Sequence, residues 1–232
     1  MASTLGLAAA DCVTPGAPGS RRYRWLALGD SNTSNRYAHV GVLSYPELFR
    51  SQNPDFEVVN AGVGSLTTQG MVDRWDELTA LAAGLPVDVV TVMLGTNDHH
   101  QPAPGFDTVR VTLANFETNM RDIVARARPF VGRPAIALLA APFVNTTDAN
   151  AELSATRLET YNARTRALAT EFGVPLVDMY KVTGDHCGYD DAVWLPLTAD
   201  GQDGVHPVTS VHQLMCDALR PFLFALARGR ER

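Results

Sequence analysis

Four short blocks in this sequence hold the residue types that acyl chemistry needs. Gly29-Asp30-Ser31-Asn32 offers a serine hydroxyl, and Gly95-Thr96-Asn97-Asp98 a side-chain amide. Asn60-Ala61-Gly62-Val63-Gly64-Ser65 is small and glycine-rich. Asp203-Gly204-Val205-His206-Pro207 places a carboxylate three residues before an imidazole. A serine hydroxyl is a poor nucleophile until a base takes its proton, so Ser31 needs a histidine. His206 is the best candidate. Asp203, in the same loop, can orient the ring and stabilise its protonated form. Attack on a carbonyl develops negative charge on oxygen, which needs donors already in place. The Ser31 N–H, a backbone N–H from the 62–65 loop and the Asn97 side-chain amide can supply three. Taken singly, each block is weak: Gly-Asp-Ser is a common turn, and Asp-x-x-His is more often a surface pair. Their weight comes from their order and placement.

The surrounding pattern sets that placement. Trp25–Leu28 is a short apolar run ending at Gly29, and Phe56–Val59 is another. Val87–Leu94 is almost wholly apolar and β-branched, as in a strand buried on both faces. Pro134–Ala141 and Val174–Val177 read as further strands. Helical spacing runs through Pro46–Gln52, and through Met71, Trp75, Leu78 and Leu81 after a cap at Thr67 or Thr68, ending at Gly84. It returns in Leu113, Phe116, Met120, Ile123 and Ala127 after a cap at Asp107 or Thr108. Leu153, Leu158, Tyr161, Leu168 and Phe172 line another helix that Gly173 ends. The last helix carries Val211, Leu214, Met215, Ala218, Phe222 and Leu226, with a kink expected at Pro221. Strands alternating with helices of this length predict a three-layer α/β/α sandwich around a parallel sheet of about five strands. Ligands bind outside the carboxyl ends of such strands. Three of the four blocks follow predicted strands, and the fourth precedes the last helix. Residues 1–22, rich in Ala, Gly, Pro and Ser, read as a flexible tail, and 23–232 as a single domain.

With all four blocks matched in order from Gly29 to Pro207, the sequence resembles the SGNH, or GDSL-type, hydrolase family. The resemblance implies a flavodoxin-like fold and metal-free ester hydrolysis, with Ser31 as nucleophile, His206 as base and Asp203 as its partner. It implies that Ser31 also lends its backbone amide, and Asn97 its side chain, to an oxyanion hole. Asp30 and Asp98 then look like structural members of their motifs. One departure concerns the second block. The family usually has a glycine five residues after its asparagine, where this chain has Ser65, with Gly64 one short. Either residue's backbone N–H can be the donor. Asn32 replaces the leucine of the family's short name and touches no chemical role. The Gly-x-Ser-x-Gly elbow of α/β-hydrolases is missing.

Composition narrows the field. The chain has 232 residues, a net charge of −6 and 46% hydrophobic residues. That much apolar side chain excludes intrinsic disorder. Net acidity, with Arg21, Arg22 and Arg24 as the only dense basic cluster before the C-terminal tail, argues against a nucleic-acid partner. No segment approaches the ~20 apolar residues of a membrane helix, and the N-terminus is a poor secretory signal. Cytoplasm is therefore the expected location. Cys12, Cys187 and Cys216 fit neither a disulfide framework nor a zinc pattern. Adjacent His99 and His100 point different ways and lack a third ligand, so no metal or cofactor is expected; both are expected to line the cleft. Asp185-His186-Cys187 reads as a surface loop. The segment from there to Asp203, with Tyr189, Asp190, Asp191 and Trp194, runs into the catalytic loop and can shape the pocket. The loop from Thr33 to Tyr45, with Arg36, Tyr37 and His39, can do the same, and Arg36 can hold an anionic substrate group or pair with a carboxylate. Three activities fit: a serine esterase acting on a small-molecule ester with short acyl or acetyl groups, an acyltransferase using the same nucleophile, and a binding module. The four intact chemical residues disfavour the third. Oligomeric state is left open.

Overall fold

Strand β1 (Tyr23–Gly29) buries both faces, with Leu26 and Leu28 toward one side and Trp25 and Ala27 toward the other. That is how a strand inside a covered parallel sheet looks. The computed structural model, which describes residues 22–101, 109–130, 134–145, 154–199 and 203–229, places it so. Strands β2 (Phe56–Gly62), β3 (Val89–Met93), β4 (Ala135–Ala140) and β5 (Leu176–Asp178) complete a five-stranded sheet in the order β2-β1-β3-β4-β5. Every neighbouring pair is parallel. The α/β architecture expected from the sequence is the one observed.

Helices α1 (Tyr45–Gln52) and α8 (Thr209–Arg228) cover one face. Tyr45, Phe49, Met215, Leu219 and Leu223 pack there against Trp25, Ala27, Val89, Met93 and Leu139. The other face lies under α2 (Thr68–Asp73), α3 (Trp75–Thr79), α4 (Leu113–Ala127) and α5 (Ala155–Phe172). Met71, Trp75, Phe116, Met120, Ile123 and Leu168 meet Leu26, Leu28, Val90, Val92 and Leu138. A smaller cluster of Phe143, Val144, Leu158, Trp194 and Val211 fills the carboxyl end of β4 with α7 (Asp191–Trp194), which follows α6 (Met179–Cys187). Gly29 of β1 pairs with Gly62 of β2 and Met93 of β3, so these strands end level. The chain order reverses direction between β1 and β3, and such a switch point opens a crevice at the strand ends. A Cβ on Gly29 would stand 2.0 Å from Thr33 Oγ1 and 2.9 Å from the Met93 carbonyl. Glycine is the residue that lets the chain turn there.

Several expected details differ. The helix predicted through Leu81 breaks at Arg74 (φ −111°, ψ 21°). Trp75 then packs on Phe130 with ring centroids 5.8 Å apart, while Leu81, predicted on the buried stripe, is 69% exposed. Helix α4 is capped by Thr112, whose hydroxyl accepts from the Asn115 N–H at 3.3 Å. Asp107 and Thr108, the expected caps, lie outside the described residues, as do Leu153, Cys12 and the expected tail except Arg22. Asp185, His186 and Cys187 end helix α6 instead of forming a loop, because Gly188, at φ +66°, supplies the left-handed cap. Helix α8 runs through Pro221 to Arg228. Among the described residues, no helix is long and apolar enough to cross a membrane.

His212 on α8 is 4% exposed and stacks on Tyr45 with centroids 6.3 Å apart. Burial, with the charge of His206 adding to it, pushes this imidazole down to about 3. The folded protein keeps it neutral, whereas the unfolded chain protonates it near an ordinary value of about 6.5. Stability present at neutral pH is therefore lost as pH falls from about 6.5 toward 3. Replacing His212→Phe should flatten that part of the Tm–pH curve in calorimetry. An unchanged slope between about pH 6.5 and 4 would contradict the assignment.

Candidate active site

Asp30 folds the turn that presents Ser31. Its carboxylate accepts the Asn32 N–H at 2.9 Å, and its carbonyl accepts the N–H groups of Thr33 and Ser34 at 3.1 and 3.0 Å. Fully buried, the Asp30 carboxyl is pushed up to about 6 by desolvation, against the pull of the Asn32 hydrogen bond. It points away from solvent and serves the backbone. Ser31, 5% exposed, leaves the turn with Oγ 2.8 Å from His206 Nε2.

The Asp-x-x-His spacing has a geometric reason. One oxygen of Asp203 accepts the backbone N–H groups of Val205 and His206, each at 2.9 Å. That turn brings the other oxygen onto His206 Nδ1 in a short hydrogen bond. Partial burial raises the Asp203 carboxyl, but the His206 side chain and the two N–H donors outweigh it and hold it below the ordinary value. The loop is braced from beneath. Its Gly204 carbonyl accepts from Trp194 Nε1 at 2.9 Å and from the Asn145 N–H at 3.1 Å, and the Gly204 N–H donates to Thr198 Oγ1 at 3.1 Å. Gly204 sits at φ +73°, where a Cβ would lie 2.7 Å from Asn145 Oδ1. Trp194, expected only to shape the pocket, holds the loop that carries His206.

Asn97 follows β3, and its amide donates one hydrogen to the Leu66 carbonyl at 3.1 Å. An amide nitrogen has two hydrogens, so one is left. Asp98 next to it is fully buried and accepts from the Thr68 N–H at 3.0 Å and from the Thr68 hydroxyl. Burial pushes its carboxyl up to about 7, with the nearby Asp30 charge adding and the Thr68 hydrogen bonds opposing. Asp98 thus ties the β3 loop to the start of α2. Nothing in the spacing of Thr68 marked it for this.

Ser31, Ser65, Asn97 and His206 line one cleft of about 150 Å³. Ser65 has a positive φ of 60°, a region glycine enters freely and serine at some cost. Among the described residues, neither the Ser31 nor the Ser65 N–H has an acceptor. Gly64 is not part of the lining; its α-carbon lies under Arg36, whose Nη1 is 3.2 Å from where a Cβ would stand.

The two neighbouring histidines separate. His100 lines the cleft, but His99 is fully buried, so its expected place in the lining is corrected. His99 Nδ1 bonds the Gly95 carbonyl at 3.1 Å, and burial pushes the ring down to about 4. Tyr37 does more than shape the pocket: its hydroxyl stands 3.0 Å from His206 Nδ1, with ring centroids 4.7 Å apart. Cys187 and Cys216 are buried free thiols away from the cleft. Asp185 is engaged by Lys181 at 2.6 Å. Among the described residues, no cluster of three or more His, Cys, Asp or Glu could hold a metal ion.

Comparison with solved structures gives the same fold. An acetylxylan esterase from Geobacillus stearothermophilus superposes with a TM-score of 0.67 at 22% identity, covering 86% of this chain and 94% of that one. An α/β hydrolase enzyme from the metagenome of Lake Arreo, Spain, gives 0.65 at 23%, with 89% and 96% covered. A lipase/acylhydrolase from Enterococcus faecalis gives 0.66 at 18%, with 87% and 95% covered. None of the curated proteins compared with the sequence matches it. The family model of the GDSL-like lipases/acylhydrolases matches residues 27–214, a span that holds all four chemical blocks, and the chain belongs to that family of ester hydrolases.

Proposed function

We propose that the protein hydrolyses a short-acyl carboxylic ester through an acyl-enzyme on Ser31. The observation that carries this reading is the line Asp203–His206–Ser31, with Ser31 Oγ 2.8 Å from Nε2, opening on the cleft that Asn97 lines. Ser31 attacks the carbonyl carbon as His206 Nε2 takes its proton. The tetrahedral oxyanion is held by the N–H groups of Ser31 and Ser65 and the free Asn97 hydrogen. His206 then protonates the leaving alcohol, and the acyl-enzyme remains. Water, deprotonated by His206, attacks it; as the second tetrahedral intermediate collapses, the imidazolium returns that proton to Ser31 Oγ and the acid leaves. Asp203 holds the Nδ1–H tautomer and stabilises the imidazolium. Ser65 lines the cleft and Gly64 does not, which favours Ser65 as the second backbone donor.

The acyl group is short on this reading, because about 150 Å³ is well below the roughly 300–1,000 Å³ of sites for larger ligands. The acetylxylan esterase among the structural neighbours makes acetyl groups on a sugar a reasonable first substrate to try. The test is hydrolysis of p-nitrophenyl esters from acetate to long chains. Turnover is expected to be highest for acetate to butyrate, and an optimum at long chains would contradict the small cleft. The same acyl-enzyme could feed a transferase, so product partition with added alcohols separates the two activities.

Replacing Asn97→Ala should lower kcat by about 10²–10³, the usual effect of removing one oxyanion donor, with a smaller change in KM. A loss under threefold would remove Asn97 from the oxyanion hole.

A further inference from the structure

The cleft carries charge that the steps above do not use. Arg36 and Arg110 both line it, beside Ser31 and Asn97, and among the described residues no Asp or Glu lines it with them. The chain is acidic overall, at −6. Eight other arginines of the described residues each hold a carboxylate within 4 Å, from Arg24 with Glu57 to Arg220 with Asp217. Arg36 and Arg110 have no such partner among the described residues. We propose that these two arginines form an anion subsite, so that the preferred ester carries a carboxylate close to the scissile bond.

The two guanidinium groups arrive on separate segments. Arg36 lies on the helical turn Arg36–Val40 that follows the nucleophile, with Cζ 5.4 Å from the centre of the Tyr37 ring. Gly64 lets its Nη1 lie against the backbone next to Ser65, since a Cβ there would stand 3.2 Å away. Arg110 is fastened by its own N–H to the His100 carbonyl at 2.9 Å, on the approach to α4. An arginine fork matches a carboxylate with two parallel hydrogen bonds. Two cations with no carboxylate partner among the described residues also concentrate anions in a small cleft against the repulsion of an acidic protein. The sequence allows Arg36 either to hold an anionic substrate group or to pair with a nearby carboxylate; no such carboxylate is present among the described residues. Arg110 carried no sequence signal.

This inference rests on the hydrolase reading, and its test separates the two. In the first arm, the anion is on the alcohol half: 4-acetoxybenzoate against methyl 4-acetoxybenzoate. In the second, it is on the acyl half: monoethyl succinate against ethyl pentanoate. The charged ester of at least one pair should show kcat/KM about tenfold or more above its neutral partner, and the Arg36→Gln/Arg110→Gln double variant should bring that ratio close to one. Ratios near one in both arms for the native enzyme would overturn the subsite. So would a ratio that survives in the double variant. Failure of the native protein to hydrolyse any of the four esters would count against the hydrolase reading and not by itself against the subsite. Calorimetric titration of the Ser31→Ala protein then decides: 4-acetoxybenzoate binding more tightly than its methyl ester, and losing that advantage in the double variant, upholds the anion subsite, and equal binding removes it.

Discussion

Replacing Ser31→Ala is expected to lower kcat by about 10⁴–10⁶ while leaving the melting temperature within a few degrees of the native value. The size of the loss follows from the chemistry. Without Oγ there is no acyl-enzyme, and only binding and the oxyanion donors still act on the substrate, a residue of catalysis that activated-serine enzymes retain when the nucleophile is removed. The retained stability follows from the structure. The Ser31 hydroxyl bonds His206 Nε2, whereas the turn around it is held by the Asp30 carboxylate and carbonyl. Removing one buried hydroxyl of this kind costs roughly 1 kcal/mol. A kcat loss below tenfold on p-nitrophenyl acetate would reject Ser31 as nucleophile. A large loss accompanied by unfolding would carry no such meaning, so circular dichroism belongs with the kinetics.

His206→Ala should cost about as much as Ser31→Ala, and combining the two should add little, because base and nucleophile act as one unit. Asp203→Asn should be milder than His206→Ala, at about 10²–10⁴. Asp203 has two tasks that separate here. One oxygen accepts the Val205 and His206 N–H groups and shapes the loop, and the other faces Nδ1. Asparagine can keep the first task by presenting its carbonyl oxygen to the two N–H donors. Its amide then faces Nδ1, which favours the tautomer with the proton on Nε2, where it cannot accept from Ser31. The Asn variant should therefore lose rate across the whole pH range. Tyr37, with its hydroxyl 3.0 Å from Nδ1, supplies a second brace that limits the loss of ring position. Equal losses for Asp203→Asn and His206→Ala would mean that Asp203 does more than orient the ring and stabilise its charge.

The parts of this protein that were legible in the sequence are those set by local pattern. The runs around Leu26–Leu28 and Val89–Met93 are apolar on both faces, because the sheet is covered on both sides. The motif residues could be placed because each follows a strand or enters the last helix, and parallel strands put all those ends on one edge. The Asp203–His206 spacing was meaningful because a three-residue turn closes on its own backbone. The rest depends on distant contacts or on backbone angles, which local pattern does not encode. Tyr37 meets His206 across 169 positions, and Trp194 supports Gly204 from a helix of only four residues. Nothing in the pattern of Met71, Trp75, Leu78 and Leu81 marks the break at Arg74. His99 and His100 are indistinguishable by type, yet the turn after β3 sends one inward and the other to the cleft. Ser65 stands where the family usually has glycine; its positive φ explains that preference, and the N–H it presents is the same for either residue.

The proposed mechanism turns on one covalent bond, between an acyl carbon and Ser31 Oγ. The most direct measurement is intact-protein and peptide mass spectrometry after exposure to an aryl ester at low pH, where deacylation is slow, or to a fluorophosphonate that traps activated serines. One equivalent of label on the peptide containing Ser31, absent from the Ser31→Ala protein and strongly slowed in the His206→Ala protein, is the predicted result. Label on another residue, or turnover of the ester with no covalent species at Ser31 under either condition, would contradict the mechanism.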